Sequence, residues 1–218
     1  MSGRKTCSGG DRRQVRLVVL LSVFCTMLTF VAVSHLTGRS DSGGFVDGRV
    51  LVAAARAQIG VTKTYDPSYA EIDYPNGDVP LASGVCSDVI IRALRDAAGI
   101  DLQRLVHEDI VWHKIAYPIK YLNRWADANI DHRRVSNLRV FFRRKGWEVV
   151  PAGSDVLPGD ILTMKLSSGA DHIVLVGDRR NAKGGLSVIH NIGAGTVEEA
   201  ELFSGEVDGH FRARRQGD

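Results

Sequence analysis

Cysteine is scarce in this chain. There are three in 218 residues, and after Cys25 only Cys86. No intramolecular disulfide framework can form downstream of Cys25, and the lone thiol there has to be either buried or used. A basic excess is also missing where it would count. Residues 1–34 carry five basic residues and one acid, whereas the remainder carries 23 basic and 24 acidic ones. The formal net charge of +3 therefore comes from a basic tail, and nucleic-acid binding loses its main support. An arginine cluster does remain (Arg133, Arg134, Arg139, Arg143, Arg144, with Lys145). It reads as a solvated helix face, with contact to an anionic polymer as the minor reading. Repeats and low-complexity stretches are absent. Gly193-Ala194-Gly195 lacks the rest of a phosphate loop.

Long hydrophobic runs are limited to one. Arg12, Arg13 and Arg16 precede an uncharged stretch from Leu17 to Val33. It reads as a signal peptide or a single transmembrane anchor, and its length inclines the choice toward an uncleaved anchor. Positive charge ahead of the run puts residues 1–16 in the cytoplasm and the rest of the chain outside. The expected organisation is a basic cytoplasmic tail at 1–16, the signal or anchor at 17–36, a polar glycine-rich linker at 37–48 and one folded domain at 49–215. The domain is expected to face the periplasm, anchored at the inner membrane, or to be secreted or periplasmic if the segment is cleaved.

Within the domain, Gly84-Val85-Cys86-Ser87 leads into an amphipathic run. Val89, Ile90, Ala93, Leu94 and Ala97 recur at helical spacing, and Gly99 is placed to close the helix. Cys86 falls at the helix start, where unpaired N–H groups and the helix dipole favour a thiolate. Before it, 50–59 reads as a helix ended by Gly60, and 61–85 as a loop rich in tyrosine, proline and Asn-Gly. After it, 119–128 reads as a short helix, 136–145 as a helix capped by Ser136 and stopped by Gly146, and 147–150 as a strand. Three strands follow, at 161–165, 171–177 and 186–190, joined by short turns that favour antiparallel pairing. Helices first and a meander sheet second define an α+β domain.

A thiolate needs a base, and the base needs an orienting group. By strand parity His172, Val174 and Val176 share a face, as do Val188 and His190. Paired as a hairpin, the strands would aim both histidines to one side, against which the Cys86 helix would pack. Cys86 is then the nucleophile, His172 the base and His190 the group that orients it, with helix-start N–H groups binding the oxyanion. Asn191 is the runner-up to His190, although parity turns it to the other face. Asp171-His172 with His190 as a metal site is a minor reading, since no third ligand has convincing spacing. No cofactor is expected.

Pro158-Gly159-Asp160-Ile161-Leu162, then Asp171 to Gly177, then Val188-Ile189-His190 resemble the C-terminal half of NlpC-type and CHAP-type papain-like cell-wall hydrolases. Residues 50–212 further resemble an uncharacterised bacterial family, domain of unknown function 1287, grouped with that superfamily. The phrases that carry this are Tyr-Pro-Asn-Gly-Asp-Val-Pro (74–80), Gly-Val-Cys-Ser-Asp-Val (84–89), Leu-Val-His-Glu-Asp (105–109) and Asn-Ile-Asp-His-Arg-Arg-Val (129–135). The resemblance implies a papain-like fold and the roles already given to Cys86, His172 and His190. It also implies a site-lining tyrosine upstream of the cysteine, for which Tyr65 and Tyr74 compete. His132 is a candidate substrate contact. One departure is Asp88, an acid two residues past the thiol, which raises a thiol pKa. The implied function is a cell-envelope thiol hydrolase, an amidase or peptidase whose leading substrate is peptidoglycan peptide. The alternatives are a non-catalytic envelope-binding module on the same fold, or a thiol acyltransferase. The expected partners are a cell-wall or other envelope polymer and, through an uncleaved N-terminal segment, the membrane, with no nucleic acid.

Overall fold

In the computed structural model, residues 44–118, 125–150, 153–201 and 205–215 are described. The expectations for the basic tail, the hydrophobic segment, 37–43 of the linker and the first part of the 119–128 helix fall outside those residues. Residues 125–127 are not helical. No described helix is long and apolar enough to cross a membrane.

Among the described residues, four α-helices are followed by a sheet. The first, α1 (Gly48–Arg56), starts where the Asp47 carboxylate accepts the Arg49 N–H, and it buries Leu51, Val52 and Ala55. Next, α2 (Cys86–Ala98) ends at Gly99, whose φ of +66° is the left-handed cap that glycine supplies without strain. Two residues on, α3 (Leu102–His113) is capped by Asp101, which accepts the Arg104 N–H. Its apolar positions Leu102, Val106 and Ile110 mark a helix that sequence reading left unassigned. Then α4 (Val135–Arg144) has Arg134 at its N-cap and Ser136 already inside the helix, so the expected Ser136 cap does not form.

The five-stranded sheet is wholly antiparallel. It contains β3 (Ile161–Leu166), β4 (Asp171–Arg180), β5 (Leu186–Asn191), β6 (Thr196–Glu199) and β7 (Gly205–Phe211), in the order β6-β5-β4-β3-β7. The meander is therefore one strand longer than expected, and β7 returns to the far edge beside β3. Trp147–Val150 is not a strand. It makes one isolated bridge, Glu148 to Phe211. A two-residue parallel ladder, β1 (Thr64–Tyr65) with β2 (Ser83–Gly84), closes the loop ahead of α2.

The two faces of the sheet bury different residues. Ile161, Ile173, Leu175, Ile189 and Phe211 join the helices in the main core, whose helical side includes Val89, Ile90 and Leu94 of α2. Each fully buried aliphatic chain of this kind contributes roughly 1.5–3 kcal/mol. Leu162, Met164, Val174, Val176 and Val188 form a second cluster on the other face. The Pro158-Gly159-Asp160 turn locks α1 to the sheet. A Cβ on Gly159 would lie 2.3 Å from the Gly48 Cα, so the two backbones touch. Asp160 then ties in β7, accepting from His210 Nε2 at 2.7 Å and from Arg212 Nε at 2.7 Å.

The arginine cluster is split: Arg143, Arg144 and Lys145 keep the solvent-exposed face expected of them, whereas Arg134 and Arg139 are half-buried and Arg133 is buried. Arg139 pairs with Asp171 and Asp208, Arg143 with Glu148, and Arg144 and Lys145 with Asp109. Arg133 and Arg134 belong to the site.

Candidate active site

The α2 start is fixed by its own third residue. Asp88 Oδ2 accepts the Val85 N–H at 2.6 Å, satisfying a donor just ahead of the helix. The same carboxylate takes a two-point contact from Arg133, at 3.0 Å (Nε–Oδ1) and 2.9 Å (Nη2–Oδ2), with both side chains buried. Ser87 Oγ donates to the Arg133 carbonyl at 2.7 Å. The 129–135 segment is thereby docked on the foot of α2. Gly84 has to be glycine for the same reason: a Cβ there would sit 2.9 Å from Asp88 Oδ2 and 3.2 Å from Asp88 Cβ. One turn further along, the buried Arg92 holds the preceding loop, binding Asp78 through Nε at 3.0 Å and Nη2 at 2.9 Å, and Thr62 Oγ1 at 2.9 Å.

Cys86 is a free thiol with 4% of its surface exposed. Burial pushes it up to about 11, and the Asp88 charge pushes the same way. The N–H groups of Ile173, Ser87 and Cys86 itself pull against this and do not win. The expectation of a helix-start thiolate is thus corrected: desolvation outweighs the helix dipole, and the resting group is a neutral thiol.

The N–H of Ile173 belongs to the peptide that follows His172, so the sulfur rests against the chain of β4 at that histidine. The β4–β5 ladder runs from Leu175↔Ile189 upward, and Ile173 lies past its end. Strand parity holds for the histidines but not for the helix. His172, Val174 and Val176 do share a face, but α2 packs against the opposite one, through Ile173, Leu175 and Ile189. Cys86 meets the strand at the end of the ladder instead.

His172 and His190 come together as expected. His172 Nε2 lies 3.3 Å from His190 Nδ1, with the rings edge to face at 5.2 Å between centroids. Both are buried. Burial, reinforced by His190, lowers His172 to about 4. Burial also lowers His190, against an opposing pull from Glu199. Glu199 Oε2 stands 3.5 Å from His190 Nε2. With the His190 proton on Nε2, facing the Glu199 carboxylate, His190 Nδ1 is an acceptor for the His172 Nε2–H, and His172 keeps the Nδ1 lone pair for an incoming proton. Glu199 was not anticipated from sequence, since nothing local links it to a histidine nine residues earlier.

A groove of about 230 Å³ opens at Cys86, with Tyr65, Ile130, Arg133, Arg134 and Asp171 in its walls. Tyr65 therefore stands at the thiol. Tyr74 is instead packed edge-on against His107 at 5.5 Å and does not line the groove. His132 does not line it either. It is buried, its Nδ1 has no hydrogen-bond partner among the described residues, and burial lowers it to about 4. Its neighbours Arg133 and Arg134 are the ones that reach the groove, and Asp171 rather than His172 is the β4 residue in its wall. Asn191 takes no part in the histidine pair. Its Nδ2 donates to the Thr64 and Gly84 carbonyls, pinning β1 and β2 to β5. Among the described residues no cluster of histidine, cysteine and acid side chains is arranged to hold a metal.

The α+β domain thus offers, as its candidate site, a helix-start cysteine set against a strand that carries one of two paired histidines. The chain belongs to the family described as "Domain of unknown function (DUF1287)", which matches residues 52–213. It is 49% identical over 160 residues to "Uncharacterized protein YijF" of Escherichia coli K12, covering 72% of this chain and 78% of that protein. Among solved structures it is similar to NlpC1 from Trichomonas vaginalis, with a TM-score of 0.40 and 17% identity over 80% of this chain. It spans just under half of that structure, 47% of its length.

Proposed function

We propose that the domain is a thiol hydrolase of the cell envelope that cleaves an amide in peptidoglycan peptides, on a papain-like scaffold. The observation that supports this most is the His172–His190 pair at 3.3 Å next to a strand peptide that touches the Cys86 sulfur. Two neutral imidazoles buried side by side add nothing obvious to stability, and burial works against charging either.

The ground state is a neutral thiol and a neutral base, the base carried on β4, whose Asp171 shares the groove wall with Cys86. The Cys86 proton moves to His172 as the sulfur attacks the carbonyl carbon, forming the C–S bond. The oxyanion is held by N–H groups at the helix start. Collapse breaks the C–N bond, and His172 returns the proton to the leaving amine. Water then adds to the thioester, with His172 again as base, releasing the acid and restoring the thiol. His190 orients His172 and spreads its transient charge toward Glu199. Export, and anchoring or cleavage near the Leu17–Val33 run, belong to this reading and rest on the arginines that precede that run.

A second reading, a non-catalytic envelope-binding module, is favoured by the burial of the thiol. Incubating purified peptidoglycan with wild type and Cys86→Ala, then identifying released fragments by mass spectrometry, separates the two. The hydrolase reading expects Cys86-dependent fragments. Peptidoglycan capture that survives Cys86→Ala, with no fragments from either protein, would replace it with the binding module.

A further inference from the structure

A second cavity, of about 160 Å³, lies beside the Cys86 groove and shares Ile130 and Arg134 with it as wall residues. Its other polar walls include Asp127, Asp131 and Asn137. Asn137 is 1% exposed. Its amide nitrogen is spent on the Asp131 carbonyl at 3.1 Å, and its Oδ1 has no hydrogen-bond partner among the described residues. A buried acceptor left unmade is costly, and it is best explained by a donor that arrives from outside.

Both acids line the cavity. Asp131 takes the Asp127 N–H at 2.6 Å, which brings the two acids into one turn. Burial, and next to it the Asp127 charge, holds the Asp131 carboxyl above its usual range. Arg134 lies at the boundary of the two cavities, and Lys114 also lines the second one, its ammonium 5.9 Å from the centroid of the Trp125 ring in the same wall. Tyr69 completes an aromatic wall.

We infer that this cavity is a subsite for a primary ammonium of the peptide substrate, met by the Asp127 and Asp131 carboxylates and by Asn137 Oδ1. An ammonium carries three donors, and the cavity offers three acceptor groups. Arg134 then faces the carbonyl or carboxylate side of the same residue and directs the chain into the groove at Cys86. The inference rests on the hydrolase reading for the direction of the chain, but the ammonium site stands on its own residues.

The test uses Cys86→Ala protein, so that nothing is cleaved, and isothermal titration with three probes. These are a peptidoglycan stem tripeptide ending in a diamino acid, its Nα-acetyl form and its side-chain N-acetyl form. The expected result is a loss of affinity of about tenfold or more on acetylating one of the two amines, which also identifies the amine. Asn137→Leu and, as a milder change, Asp127→Asn should each remove most of that ratio. Asparagine at 127 keeps the acceptor for the Asn129 N–H, which Asp127 Oδ1 now takes at 2.9 Å. Equal affinity for the three probes, no binding of any, or a ratio unchanged in both variants overturns the subsite. Wild-type cleavage is scored separately. Cleavage without amine discrimination removes the subsite and leaves the hydrolase, whereas discrimination without Cys86-dependent cleavage does the reverse.

Discussion

Arg133 and Asp88 form a buried two-point ion pair at the foot of the Cys86 helix, 2.9 Å at its shorter contact. The pair answers the question raised by an acid two residues after the thiol. Asp88 is held by the Val85 N–H on one side and by a guanidinium on the other, so its charge reaches Cys86 already partly neutralised. It shapes the helix start rather than taking part in bond breaking.

Removing the cation alone should therefore cost far more than a surface pair would. Arg133→Ala leaves Asp88 buried and uncompensated, and chemical denaturation should show a loss of about 3–5 kcal/mol. The double variant Arg133→Met, Asp88→Asn should recover much of that loss. A cost of under about 1 kcal/mol for Arg133→Ala, the range of exposed pairs, would mean that the pair is not held as described.

The thiol should titrate late. With Cys86 near 11, its alkylation by iodoacetamide in the free protein should be slow at neutral pH. The rate should rise through about pH 11 as the thiolate fraction grows. A rate plateau reached below pH 7 would indicate a preformed thiolate–imidazolium pair and contradict the neutral ground state.

Buried neutral histidines tie stability to acid. His172 and His132 both stand near 4 in the fold, against 6.5 for the unfolded chain. The unfolded state then binds more protons between those values. Each histidine's contribution, on the order of 3 kcal/mol, is complete above about pH 6.5 and is lost as pH falls through about 4. Denaturation midpoints between pH 7 and 4 should drop accordingly, and His172→Gln should flatten the slope. A midpoint independent of pH over that range would refute the burial assignment.

Glu199 should matter to catalysis without being essential. It supports His190 from 3.5 Å and is half exposed, so Glu199→Gln should slow peptidoglycan cleavage by about three- to tenfold. His190→Ala should cost more, about 100-fold or beyond, as loss of an orienting group does. Equal effects of the two would remove Glu199 from any separate role.

What could be read from the sequence was local. Cys86 at a helix start, the strand parity of His172 with His190, and the Pro-Gly-Asp turn each depend on neighbours within a few positions. What escaped is long-range. Asp88 and Arg133 are 45 residues apart, and which face α2 covers is decided by the packing of Ile173, Leu175 and Ile189. The return of β7 to the β3 edge has no local signal. The thiol state is not legible in the sequence, because desolvation depends on the finished fold, whereas the helix dipole follows directly from the residue order. His132 sits in a motif whose adjacent arginines carry the contacts.

The most direct measurement is the intact mass of the protein after brief reaction with soluble peptidoglycan peptides and acid quenching. The account predicts an acyl adduct that maps to Cys86, is absent from Cys86→Ala, and is strongly reduced in His172→Ala. Fragment release with no adduct on Cys86, or an adduct of undiminished amount in His172→Ala, would contradict it.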